Sequence, residues 1–210
     1  MTSWWHAQRI DGVMAVLQAH RPAHVLDLGC GDGAFVAPLL TAPWACRITG
    51  LEPDPAALAA LRARLTPEQA ARVTLISGSA LAPPAVPAVD AIVMLEVLEH
   101  LDPGQLSQLE HVLFARLDAP LVVLTTPNAE FNPLLGVPAH RLRHPEHRFE
   151  WTRARFTDWA AGVARRAIRT LRIGTLGGAH PALGGASQIA VFTRPERRAA
   201  PAGRSPPAGT

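Results

Sequence analysis

The sequence predicts a doubly wound α/β domain built on a seven-stranded, mostly parallel sheet. Three features predict it: short apolar runs alternate with helical patterns along most of the chain, a glycine-rich turn follows the first run, and an acid closes the second. Strict alternation of this kind means βαβ units, in which helices cover both faces of a parallel sheet. In such sheets ligands bind at the carboxyl ends of the strands, near the point where strand order reverses.

The elements follow in order. Ile10, Val13, Met14 and Leu17 recur at helical spacing and predict a first helix over residues 4–19, which Pro22 ends. Apolar, partly β-branched runs at 24–28, 47–52, 73–77, 90–95 and 121–125 read as strands, with helical patterns at 34–41, 55–65 and 104–117 between them. After Thr125 comes a loop rich in Pro, Asn and His, then a helix over 152–165 and two last strands over 168–176 and 186–193. From Arg194 onward the chain reads RPERRAAPAGRSPPAGT, which holds too little apolar surface to offset the entropy of ordering. The expected organisation is therefore one domain, residues 1–193, and a disordered tail, residues 194–210.

Composition narrows the class. No run of 18 apolar residues exists and the start, MTSWWHAQRI, lacks the layout of a signal peptide, so a cytoplasmic protein without membrane contact is expected. Cys30 and Cys46 fit neither a disulfide framework nor a CxxC metal pair and read as free thiols. All 20 basic residues are arginine, which a GC-rich genome alone would produce. Their distribution says more: residues 1–140 hold seven Arg against thirteen acids, a net of −6, whereas residues 141–172 hold nine Arg against three acids, a net of +6. A concentrated basic segment suits a polyanion, although a solvated helix face has the same composition.

The first strand runs into VLDLGCGDGAF, where Gly29, Gly31 and Gly33 let the backbone bend and approach a ligand. A Gly-x-Gly turn is shared with dinucleotide binders. Asp27 before it, and the absence of a third glycine at dinucleotide spacing, suit a cofactor with a cationic methionine moiety rather than a pyrophosphate. Glu52 ends the second strand about twenty residues on, where an acid accepts ribose hydroxyls. Ser79, in Ser77-Gly78-Ser79 after the third strand, is a candidate for the adenine edge. Together these motifs resemble class I S-adenosylmethionine methyltransferases over residues 23–126.

The fourth strand leads into MLEVLEHLD, with Glu96, Glu99 and His100 at positions i, i+3 and i+4. On a helical turn the three side chains would share one face and supply metal ligands, with a fourth from His144 or His147 in HPEHRFEWTR. Oxygen and nitrogen donors without thiolate suit Mn²⁺, Mg²⁺, Fe²⁺ or Co²⁺ better than structural zinc. A hydrogen-bonded His beside two acids at a helix start is the plainer explanation. E-V-L-E-H also occurs in quinone-type O-methyltransferases.

The segments LTTPNAEFNP (124–133) and HRFEWTRARFTDW (147–159), after E-V-L-E-H, resemble the Hua-enhancer family of small-RNA 3′-terminal 2′-O-methyltransferases. The resemblance spans about residues 6–193, including G-G-A-S-Q-I-A-V-F as a last strand. It implies methyl transfer from S-adenosylmethionine to the 2′-hydroxyl at an RNA 3′ end, assisted by Mn²⁺ or Mg²⁺, with Co²⁺ as a further candidate. It implies Glu96, Glu99, His100 and His147 as metal ligands and catalytic residues, and it demotes His144 to a neighbour. Glu146 stands where the family usually has Asp.

Asn128 and Phe131 fall in the loop after the fifth strand and are candidates for the terminal nucleotide, with core packing an equal reading of Phe131. Arg148 and Arg153, with Arg141, Arg143 and Arg155, are candidates for phosphate contacts. Phe149, Trp151, Phe156 and Trp159 are spaced like a buried helix face and its entry, and Trp4 and Trp5 read as structural. The expected partner is an RNA 3′ end, within RNA-repair or small-RNA machinery, and the chain is expected to act as a monomer. Two rival readings are a small-molecule, quinone-type O-methyltransferase and a catalytically silent RNA-binding subunit.

Overall fold

A computed structural model of the protein describes residues 4–44 and 47–195; the expected disordered tail and Cys46 lie outside them, apart from Arg194 and Pro195. Helix α1 (Trp4–His20) leads into β1 (His24–Leu28). There follow α2 (Val36–Leu40), β2 (Arg47–Glu52), α3 (Pro55–Arg64), the short α4 (Pro67–Ala70), β3 (Val73–Ser77) and β4 (Ala91–Leu95). The second half comprises α5 (Leu106–His111), β5 (Leu121–Pro127), α6 (Arg153–Arg166), β6 (Thr170–Leu176) and β7 (Ser187–Thr193).

One seven-stranded sheet carries the fold, in the order β3-β2-β1-β4-β5-β7-β6. The first five strands run parallel, and β7 lies antiparallel to both β5 and β6. The chain winds outward from β1 to β3 and then returns to place β4 on the other side of β1. Strand order thus reverses between β1 and β4, and their carboxyl ends flank one crevice.

Buried strands alternate between two helical layers, as period-two side chains must. Val25, Ala91, Val93, Leu121 and Val123 pack with α1, α2 and α3, whereas Leu26, Ile92, Met94, Val122 and Leu124 pack with α5 and α6. Phe156 and Phe192 are the largest fully buried side chains of the second layer. Phe149, Trp151 and Trp159 pack half-buried against that layer, with the Phe149 and Trp151 rings stacked 4.5 Å apart.

Local chemistry explains the boundaries. Asp54 caps α3 by accepting from Ala56 N at 2.8 Å, with Pro55 preset for the first turn, and Thr152 caps α6 through Arg155 N. The continuous helix expected over 104–117 is instead three pieces: a 3₁₀ turn at Pro103–Gln105, α5, and a π-helical turn at Val112–Leu117. Pro103 opens the first piece, and left-handed Asp118 ends the last, its carboxylate held by Arg169 and Arg194. The helix expected over 34–41 shortens to Val36–Leu40, because the glycine turn runs on to Phe35.

Candidate active site

The glycine turn and the segment after β4 meet at the reversal point. Gly29, Gly31 and Gly33 all have positive φ, at 81°, 52° and 89°, a region that favours glycine. A Cβ on Gly29 would lie 2.5 Å from Val97 Cγ2, so these two loops pack against each other. A Cβ on Gly31 would meet no atom within 4 Å, so the tip of the turn faces open space.

Asp27 is 1% exposed at the end of β1, and its Oδ2 has no hydrogen-bond partner. Burial, and secondarily Glu52, pushes its carboxyl up to about 7. Glu52 accepts from Gly31 N on Oε2 and from Asp54 N on Oε1, each at 3.0 Å, which ties the end of β2 to the turn. Each carboxylate oxygen retains a second lone pair for a ribose hydroxyl. Ser79 is exposed beyond β3 and its hydroxyl accepts from Leu81 N at 3.2 Å, closing a local turn. An unpaired buried carboxylate oxygen beside an open glycine turn fits a cationic, ribose-bearing cofactor.

Glu99, His100 and His147 each offer a ligand atom within 4.8 Å of the others. Glu99 and His100 lie on a 3₁₀ turn, Leu98–His100, and His147 arrives on the loop before α6. The backbone splices the two segments: Arg148 N donates to Glu99 O at 2.7 Å. Glu99 is fully buried, Thr126 Oγ1 donates to its Oε2 at 3.0 Å, and its Oε1 is unpaired, 3.9 Å from His147 Nε2. Burial first, and Glu96 second, pushes the Glu99 carboxyl well above the usual range. The His100 and His147 rings meet edge to face at 4.9 Å, and burial holds His100 below the usual imidazole value. His144 stands beside them, 5.6 Å from His147 ring to ring.

Glu96 lies outside that trio. Rather than sharing a helical face, it leaves β4 with φ 58°, its N–H donating to Thr125 Oγ1 at 3.0 Å. Its Oε2 faces Arg9 at 3.5 Å and accepts from Ser187 Oγ at 3.2 Å, whereas its Oε1 is buried and unpaired. The buried, partnerless Oε1 of Glu99 beside two imidazoles forms a donor set that fits a hard or borderline divalent cation, and the buried Oε1 of Glu96 is a further oxygen donor without a partner.

Sequence reasoning gave no role to Arg9, Thr126 or Glu150 and read Arg143 as a phosphate contact, but all four hold this arrangement from within, the Arg143 side chain being only 13% exposed. Glu150 Oε1 accepts from His147 Nδ1 at 2.6 Å and Arg143 N at 2.7 Å, and its Oε2 accepts from Asn132 Nδ2 at 2.6 Å. Arg143 Nε donates to Asn132 Oδ1 at 2.5 Å, and its Nη atoms donate to the carbonyls of Ala186 and Asn128. The spacing of His147 and Glu150, three residues apart in HRFE, was the available signal.

The expected nucleotide contacts are placed differently. Asn128 is fully buried, its amide nitrogen donating to Leu183 O and Gly185 O and its Oδ1 accepting from Glu130 N, so its side chain clamps loops together. Phe131 is 5% exposed and packs edge to face on Trp5 at 5.4 Å, which favours the core reading. Arg153 makes a two-pronged contact with Glu130 and donates to Ala182 O. Arg148 is exposed, 3.7 Å from Asp102. Arg141 and Arg155 are exposed and have no ion-pair partner among the described residues; Arg155 lies 5.7 Å over the Trp151 ring.

This strand order, with a glycine turn and an acid at the reversal point, defines a class I methyltransferase, and residues 25–117 match the family described as "Methyltransferase domain". Among solved structures, the methyltransferase domain of bacterial CtHen1 superposes with TM-score 0.78 at 33% identity, covering 89% of this chain and 97% of that one. The small RNA methyltransferase HEN1 gives TM-score 0.82 at 30% identity over 90% of this chain and 26% of that one. The Mus musculus small RNA 2′-O-methyltransferase is 33% identical over 202 residues, which are 90% of this chain and 51% of that protein. The chain belongs to the Hen1 family of methyltransferases. It spans about half the length of the first curated relatives it matches. No helix among the described residues is long and apolar enough to cross a membrane.

Proposed function

We propose that the chain transfers the methyl group of S-adenosylmethionine to the 2′-hydroxyl of a 3′-terminal ribose in RNA, with a divalent cation held by Glu99, His100, His147 and the free Oε1 of Glu96. The observation that carries this is the convergence of His147, from a loop far along the chain, on Glu99 and His100 beside the glycine turn. A small-molecule methyltransferase needs no such convergence. The name of the mouse relative, a small RNA 2′-O-methyltransferase, supports RNA as the substrate.

The division of labour follows from the residues. Asp27, Glu52 and the glycine turn bind and orient the cofactor, whose sulfonium supplies an electrophilic methyl group. A divalent cation supplies Lewis acidity that eases deprotonation of a ribose hydroxyl. The ligand set selects for a terminus when both ribose hydroxyls are required: DNA lacks the 2′ oxygen, and an internal nucleotide has no free 3′ oxygen.

The test is transfer of labelled methyl to a short RNA with and without Mn²⁺, comparing 3′-terminal ribose, deoxyribose and 3′-phosphate ends. Only the first should react. Glu99→Ala and His147→Ala should each lower transfer by at least about 100-fold while the cofactor still binds, because its contacts lie on other strands. Equal methylation of the deoxyribose end would refute the proposal.

A further inference from the structure

We propose that Glu150 is the positioning carboxylate of His147: it fixes the imidazole with its proton on Nδ1, so that Nε2 presents a lone pair toward Glu99 and His100. The inference rests on the reading that this cluster holds a divalent cation.

Three observations carry it. The contact is short and directional, 2.6 Å from His147 Nδ1 to Glu150 Oε1. The Glu150 side chain is fully buried and that of His147 is 8% exposed, so no water competes for the ring nitrogen from that side. A carboxylate acceptor requires the opposing ring nitrogen to be the donor, which leaves Nε2 deprotonated in the neutral ring. Nε2 is the atom that faces the unpaired Glu99 Oε1, at 3.9 Å.

Glu150 is itself immobilised. Arg143 N donates to the same oxygen at 2.7 Å, and Asn132 Nδ2 donates to the other at 2.6 Å. Arg143 Nε takes Asn132 Oδ1, which settles which end of that amide faces Glu150. Arg143 is anchored on the backbone carbonyls of Asn128 and Ala186, where β5 ends and β7 is about to begin. A chain of Arg143, Asn132, Glu150 and His147 therefore runs from the rigid sheet to the ring. Carboxylate partners of this kind orient a metal-binding imidazole, and their loss typically weakens metal affinity by about 10- to 100-fold.

The experiment uses the full chain. Nitrogen-resolved NMR of the histidine rings, in mildly alkaline buffer without metal, reads the His147 tautomer, with His147→Ala identifying its signal. Calorimetric titration with Mn²⁺ reads affinity. The wild type should show the Nδ1–H form. Glu150→Ala should lose that preference and bind Mn²⁺ about 10- to 100-fold more weakly. Glu150→Gln can turn its carbonyl oxygen toward His147 and Arg143 N, although its amide nitrogen then opposes Asn132 Nδ2, so it should keep the tautomer and lose less affinity than Glu150→Ala. A purely structural Glu150 would lower affinity in Glu150→Ala without shifting the His147 tautomer. If Glu150→Ala does not fold, the wild-type spectrum and Glu150→Gln decide the matter. A wild-type ring protonated on Nε2, or a folded Glu150→Ala with unchanged tautomer and affinity, overturns the proposal. Wild-type protein with the Nδ1–H tautomer but no Mn²⁺ binding would instead overturn the metal reading beneath it.

Discussion

Asp27 Oδ2, Glu96 Oε1 and Glu99 Oε1 are buried without a hydrogen-bond partner, and all three border the crevice between β1 and β4. An unsatisfied buried acceptor costs about 1–3 kcal/mol, more when charged, so their clustering marks where binding partners supply what the fold withholds. Asp27 gives this a measurable form. Burial raises its carboxyl from 3.8 to about 7, so the folded chain holds this proton more tightly than the unfolded chain. A group shifted upward contributes stability that is full below its unfolded value and is lost as pH rises through the folded one. The cofactor-free protein should therefore lose stability from Asp27 between about pH 4 and 7. Asp27→Asn, which cannot ionise, should gain thermal stability relative to wild type at about pH 8 but not at about pH 4, while losing cofactor affinity. Identical pH dependence of unfolding in the two proteins would contradict this.

Among the elements, the decisive contact is between two loops rather than between helices. Gly29 closes β1 and Val97 lies in the exit from β4, between Glu96 and Glu99. An alanine at Gly29 must adopt φ near 81° and push its Cβ to 2.5 Å from Val97 Cγ2. Backbone strain plus overpacking should cost about 2–4 kcal/mol in chemical denaturation. Removing the obstructing methyls with Val97→Ala should recover part of the loss, so the double variant should be less destabilised than the sum of the single ones. Strict additivity would mean that the loops do not bear on each other. Pattern alone located the strands well: β1, β2 and β3 match the expected runs, since β-branched and apolar stretches bounded by turns are strong local signals. The π-helical turn at 112–117 was not legible, because the i, i+3, i+4 pattern is nearly the same for a wider helix.

For the molecule as a whole, the basic stretch over 141–172 reads differently once folded. Arg143 is internal, Arg153 pairs with Glu130, Arg166 with Glu110 and Arg169 with Asp118. Part of the +6 that the count suggested is thus neutralised at home by acids from the first part of the chain. Under the proposed function, phosphate contacts fall to the exposed arginines without an acid partner. Arg141→Ala and Arg155→Ala should each weaken RNA binding independently of sequence and lower the slope of log affinity against log salt by about 1. Arg166→Ala should leave the slope nearly unchanged. Equal slopes for all three variants would leave the assignment without support.

The sequence alone determined the strand alternation, the glycine turn at the first strand end and the residue types around the crevice. These are legible because propensity, periodicity and turn chemistry act over a few neighbouring residues. The tertiary structure decided that His147 meets Glu99, that Glu96 turns toward Arg9, that Asn128 is a clamp and that Glu150 stands behind His147. Those relations join residues distant along the chain or hang on one backbone angle. Only the closing of the sheet, which sets one loop against another, fixes them.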